Sequence, residues 1–211
     1  FQKLIDILVE ASIDYLERQF QAGVESVQIF DSWAGVLPVT EFERWCLKPI
    51  LKITEGLKAR VPHARIIAFP RGVGSHLEAF TDHSGINALG LDTSADPVWV
   101  SKVIQTKKTV QGNLDPLALI AGGRALDESI DRIKQAFSGK PYIFNLGHGI
   151  TPETPIAHVE QMLARVRAGR SPFSMSRANR PMVPRCCSRR LPCSPSIRTS
   201  SKSCRMTRWP M

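Results

Sequence analysis

The sequence predicts an α/β fold with a parallel sheet, and three observations carry that prediction. Short apolar or β-branched runs alternate five times with longer stretches of helical periodicity. Glycine and proline mark the changeovers, at Gly23, Pro49, Gly139 and Pro155. Polar residues collect where the strand-like runs end, which is where parallel α/β folds bind ligands. Strict alternation needs crossovers long enough to hold a helix, and such crossovers join parallel strands.

A first helix is expected from Gln2 to Ala22, with Leu4, Leu8, Ala11, Leu16 and Phe20 near helical spacing and Gly23 as its stop. Ser26 to Asp31 reads as a strand. Thr40-Glu41-Phe42-Glu43 has the form of a capping box opening the next helix, and Pro49 marks a kink or restart within it. Further strands are expected at Arg65–Phe69, Asn87–Asp92, Thr109–Gly112 and Tyr142–Asn145. Helical patterns follow, at Asp96–Gln105 and Leu126–Phe137, with Gly139 closing the latter and Thr154-Pro155 opening the last helix. Two architectures fit five such units: an open doubly wound sheet, or the last five units of an eight-stranded barrel.

Charge divides the chain in two. Residues 1–167 carry 18 Lys plus Arg against 19 Asp plus Glu, whereas residues 168–211 carry 10 Lys plus Arg and no acid, so the formal +9 belongs to the tail. The first part is long enough to bury a core. The tail, with nine Ser and six Pro, has too few large apolar residues to offset the entropy of folding and is expected to be disordered. Four of the five cysteines (Cys186, Cys187, Cys193, Cys204) lie there without a Cys-x-x-Cys pair or a tail histidine, so zinc is not expected. No run of about 18 apolar residues appears, and a cytoplasmic location is expected.

Phe144-Asn145-Leu146-Gly147-His148-Gly149-Ile150-Thr151-Pro152 reads as strand end, glycine-flanked histidine and helix entry. The glycines leave the imidazole without neighbouring bulk, on a loop of the kind that builds active sites. Asp31 and Ser32, Arg71, Asp92, Gln111, Asn113 and Asp115, and Asn145 with His148 fall at successive strand ends. One such coincidence reflects helix capping; five in a row point to a shared site.

The stretch around His148 resembles the C-terminal signature of the uroporphyrinogen decarboxylases, cofactor-free enzymes of haem biosynthesis. The resemblance continues upstream in Phe30-Asp31-Ser32-Trp33-Ala34-Gly35, Ala88-Leu89-Gly90-Leu91-Asp92 and Gln111-Gly112-Asn113-Leu114-Asp115-Pro116, and covers roughly residues 1 to 167. It implies a TIM (β/α)8 barrel, of which about five βα units are present. It further implies that His148 hydrogen-bonds a carboxylate arm of a porphyrinogen substrate and that Ser32 contacts it, with Asp31 and Arg71 as secondary candidates. No cofactor or metal is implied. The full-length enzyme would be a homodimer, and the supporting carboxylate and the arginines would come from the N-terminal half. No catalytic residue is then assigned within this chain, and the fragment is expected to be inactive alone.

Two other readings compete. Gly72-Val73-Gly74 after a strand, with Asp92 twenty residues on, partly matches a dinucleotide-binding fingerprint, but Leu77 stands where a small residue is needed. The basic tail suggests nucleic-acid binding; its cations are scattered, with only Phe173 and Trp209 to stack on bases, so out-of-frame translation explains it better. Related methyltransferases that hold zinc through a His-x-Cys pair are excluded, because the corresponding loop reads Phe69-Pro70-Arg71. His63, His76, His83 and His158 lack paired ligand spacing, Asn113 and Asp115 are read as turn and cap residues, and Cys46 as a core residue.

Overall fold

The computed structural model describes residues 1–168. The expected disorder and origin of the tail fall on residues 168–211 and, Ala168 apart, lie outside the described residues.

Helix α1 (Gln2–Gln21) buries Val9, Ile13 and Leu16 against Ile53 and Leu57, with Ile5 and Phe20 at the margin. Leu4 and Leu8, expected on the core face, are each 51% exposed. The helix carries two apolar stripes, and only the one offset by a residue meets a partner. Arg60 binds Glu10, Asp14 and Glu17 of α1 beside this contact.

Strand β1 (Val27–Asp31) leads to a short helix, α2 (Val39–Phe42), a π-helical segment (Glu43–Leu47) and α3 (Lys48–Arg60). The expected capping box does not form. The helix starts two residues earlier, after Pro38, which puts Thr40 inside the first turn, and the Glu41 carboxylate accepts the Trp45 indole N–H. Pro49 lies in the opening turn of α3, where its missing N–H costs no helical bond, so it restarts the helix. Strands β2 (Ile66–Pro70), β3 (Ala88–Gly90), β4 (Thr109–Leu114) and β5 (Tyr142–Leu146) follow as expected, although β4 continues past Gly112 to Leu114 because β5 pairs with it that far. A 3₁₀ segment (Gly74–Phe80) links β2 to β3, and α4 (Pro97–Val103) links β3 to β4. α5 (Pro116–Ala121), which the periodicity did not announce, and α6 (Gly123–Ala136) precede β5, and α7 (Ile156–Arg167) follows it.

The five strands are parallel and ordered β1-β2-β3-β4-β5. A doubly wound sheet reverses its strand order at a switch point; this one does not. The helices also lie against one face. Ala68, Leu89, Val110 and Leu114 pack with Phe42, Ile50, Phe80, Val100, Leu119, Leu126 and Ile130 in one core. By strand alternation, Gln28, Phe30, Phe69, Gly90, Gln111, Ile143 and Asn145 occupy the other face, where Phe30 is 64% and Ile143 43% exposed. Sequential order with one-sided helices is an arc of a (β/α)8 barrel, and the uncovered face is its interior.

Candidate functional site

The loops at the C-terminal ends of the strands are joined by a continuous seam of hydrogen bonds. Arg71 N donates to Asp31 O and Gly35 N donates to Arg71 O, both at 2.9 Å, linking the loops after β1 and β2. Gly72 N donates to Asp92 Oδ2 at 2.5 Å, while Ser94 donates to Oδ1 from its amide (2.7 Å) and its hydroxyl (2.5 Å). Asn113 Nδ2 donates to Asp92 O (3.0 Å) and Ala95 O (2.8 Å), binding β4 to the loop after β3. Gly147 N donates to Leu114 O at 2.8 Å. A Cβ at Gly147 would lie 2.6 Å from Thr93 N, so only glycine lets the His148 loop approach this closely. The seam runs from the Ser32 loop to the His148 loop across all five strands.

A cavity of about 780 Å³ opens on the uncovered face and along β5, lined by Gln28, Phe30, Phe69, Gln111, Asn145 and His148 among others. Phe30 and Phe69 meet edge to face at 5.6 Å and form an apolar wall. Below them, Gln111 Nε2 donates to Gln28 Oε1 at 2.9 Å. The His148 ring is exposed at the mouth, with Nδ1 3.4 Å from Gly149 O. Burial pushes the Tyr142 hydroxyl up, and it donates to Gly112 O.

The structure treats the expected site residues differently. His148 borders the cavity, as its glycine-flanked loop suggested. Ser32 is exposed at the same end of the sheet but does not line the cavity. Asp31 is half-buried; its Oδ1 accepts the Trp33 amide at 3.2 Å, the local turn that strand-end aspartates favour. Behind it, Cys46 is buried, and burial together with the Asp31 carboxylate pushes its thiol well above the ordinary range. Arg71 is exposed, makes no ion pair among the described residues and does not line the cavity. Asp115 caps α5 by accepting Leu117 N at 2.9 Å, and Asn113 braces two loops. The nucleotide reading needs Asp92 free to meet a ribose; instead its carboxylate is closed by the amide of Gly72, the first glycine of the same fingerprint.

Sequence reasoning passed over Gln28. Its signal was a single polar residue at an inward position of an apolar run, Val27-Gln28-Ile29-Phe30. Among the described residues, no helix is long and apolar enough to cross a membrane.

A family profile described as uroporphyrinogen decarboxylase (URO-D) matches residues 1–169. The chain is 53% identical over 167 residues to the uroporphyrinogen decarboxylase of Rhizorhabdus wittichii, covering 79% of this chain and 48% of that protein. It is 49% identical over 169 residues to that of Sphingopyxis alaskensis (80% and 49% covered) and 49% identical over 170 residues to that of a Chelativorans species (81% and 49% covered). The chain thus spans about half the length of the curated relatives it matches. A profile match over most of the chain, at this level of identity and on an arc of barrel, means that the chain belongs to the uroporphyrinogen decarboxylase family.

Proposed function

We propose that this chain supplies the C-terminal, substrate-binding part of a uroporphyrinogen decarboxylase, which removes the acetate carboxyls of uroporphyrinogen III to give coproporphyrinogen III without a cofactor. The supporting observation is His148, held by Gly147 and Gly149 at the mouth of a large, aromatic-walled cavity in a chain that matches the family throughout residues 1–169. Its imidazole hydrogen-bonds a carboxylate arm of the ring, and the exposed hydroxyl of Ser32 makes a second contact. Arg71 is a secondary carboxylate contact. Asp31 is the weakest candidate, because its carboxylate already accepts the Trp33 amide.

In the proposed reaction the bond between an acetate methylene and its carboxyl breaks, and carbon dioxide leaves. The electrons pass into a pyrrole ring protonated at the adjacent carbon, a proton then converts the exocyclic methylene to a methyl group, and the ring carbon gives up the proton it had taken, so that one proton is consumed for each carbon dioxide released. The protein's task is to stabilise a cationic ring. The carboxylate and arginines for that task are assigned to the part of the relatives this chain does not span. The same reading puts the barrel piece at residues 1–167, treats 168–211 as a separate tail with no nucleic-acid role, and takes the complete enzyme to be a cytoplasmic homodimer.

The test joins the preceding half of the Rhizorhabdus wittichii relative to residues 1–168 and measures formation of the four-carboxylate product. Turnover that falls on replacing His148 with Ala supports the reading. Full activity of that variant, or loss of folding in place of loss of turnover, removes His148 from the site.

A further inference from the structure

The chain turns between α5 and α6 at Gly122-Gly123, whose φ angles of 65° and 53° lie in the left-handed region that favours glycine. A helix end leaves carbonyls unpaired and a helix start leaves amides unpaired, so this junction carries both kinds. The Gly123 amide, which would continue α5 by donating to Leu119 O, donates instead to Gln161 Oε1 at 3.0 Å. The Leu119 carbonyl is taken by the His158 ring, with Nδ1 at 3.0 Å. Gln161 Nε2 also donates to Gly123 O (2.9 Å) and to Asp127 Oδ1 (3.0 Å). His158 and Gln161 stand three positions apart in α7, on one face of the helix. That face therefore caps the end of α5 and the start of α6 together. A Cβ on Gly122 would collide with the imidazole, so the ring fits only over a glycine.

These polar contacts matter because little else holds α7. None of its residues is fully buried, and Val159, Met162 and Val166 meet the core only in part. The helix follows directly on the loop that carries His148, residues 147–155. That loop is pinned at its front, where Gly147 N donates to Leu114 O at 2.8 Å, and at its back, where His158 reaches Leu119 O. Both anchors lie on one segment, from the end of β4 into α5. Between them the exposed His148 ring makes only a 3.4 Å approach to Gly149 O. Its place at the cavity mouth is set by the ends of its loop and not by packing of the ring.

We propose that His158, seconded by Gln161, positions His148 by clamping α7 to the α5–α6 junction, a role that rests on the substrate-binding reading above. Both are positioning residues; neither touches the substrate. A carbonyl oxygen only accepts, so the neutral His158 ring carries its proton on Nδ1.

The experiment uses the isotopically labelled 211-residue chain. Ring-nitrogen NMR reads the His158 tautomer, and amide relaxation at Gly147, Gly149 and Ile150 reads the order of the loop. Titration with uroporphyrinogen, kept reduced without oxygen, reads affinity. The expected results are a proton on Nδ1, loop amides that are ordered in the parent and mobile in His158→Leu, and affinity weakened roughly threefold to tenfold in that variant. His158→Asn, whose side-chain amide puts an N–H donor in place of Nδ1, restores order and affinity. With His148→Ala already present, His158→Leu costs no further affinity, because it acts through that ring. A proton on Nε2, additive losses in the double variant, or loop amides as ordered in His158→Leu as in the parent overturn the proposal. So does a lowered melting temperature as the only change. No binding by the parent overturns the porphyrinogen reading, and the tautomer and the loop amides then decide the clamp. If His158→Leu does not fold, Gln161→Met takes its place with the same expectations.

Discussion

The carboxylate of Asp92, at the end of β3, accepts the backbone amide of Gly72, in the loop after β2, at 2.5 Å. That contact turns two halves of an apparent nucleotide fingerprint into one structural clasp. Asp92→Ala should lower stability by about 2 kcal/mol or more, because it removes a buried charged acceptor from three donors, with Asp92→Asn intermediate. Urea denaturation midpoints read the loss. Calorimetric titration with NAD should show no binding; heat of binding abolished by Asp92→Ala would revive the nucleotide reading.

The 211-residue chain alone should give no four-carboxylate product. β1 and β5 are each paired on one side only, so the sheet has two open edges and cannot enclose a barrel core. Each missing electrostatic stabiliser is worth about 10²–10³ in rate. Co-expression with the complementary half of a relative should restore turnover; activity of the isolated chain would mean that the chemical centre lies within it.

In the chimaeric enzyme, His148→Ala should cut kcat/KM by about tenfold to 150-fold, the equivalent of one hydrogen bond to a charged group at about 1.5–3 kcal/mol. Ser32→Ala should be milder, about twofold to tenfold. Melting temperatures within a few degrees of the parent separate these effects from unfolding.

Cys46 should resist alkylation in the native protein at pH 8. Burial and the facing Asp31 carboxylate both disfavour its thiolate, the nucleophilic form. Iodoacetamide labelling followed by peptide mass spectrometry should show Cys46 modified only after addition of denaturant. Rapid native labelling would place the thiol at the surface.

Hydrogen bonds from Lys52, Lys107 and Arg165 hold the Asp6, Asp82 and Asp131 carboxyls below their ordinary value of 3.8. A folded-state value below the unfolded one contributes stability above the unfolded pKa and loses it as pH falls through the folded value. The three pairs are at the surface, so salt screens them and each contributes little. Stability differences between the parent and Asp131→Asn should be small and constant well above the ordinary value of 3.8, fall away as the pH drops below it, and shrink in 1 M salt.

Removing residues 169–211 should leave the far-ultraviolet circular dichroism of the remainder unchanged. Ala168 is kept because Lys134 Nζ donates to its carbonyl at 2.8 Å. Lost helicity on truncation would show that the tail supports the fold.

The sequence by itself determined what depends on neighbours within a few residues. Alternating periods placed all five strands, Pro49 restarted its helix, Asp115 capped the next, and two glycines bared His148. Tertiary structure decided what depends on partners far along the chain. Leu4 and Leu8 had helical spacing as good as that of Val9 and Ile13, and only the position of Ile53 and Leu57 selected between the stripes. Whether the sheet is an arc of barrel or doubly wound rested on strand order, which local pattern does not encode. Asp92 met Gly72, and Gln111 met Gln28, because parallel register and the curvature of the sheet bring strand ends and inward side chains together. Hydrophobic periodicity tells which side of an element is buried; it carries no information on which element will bury it.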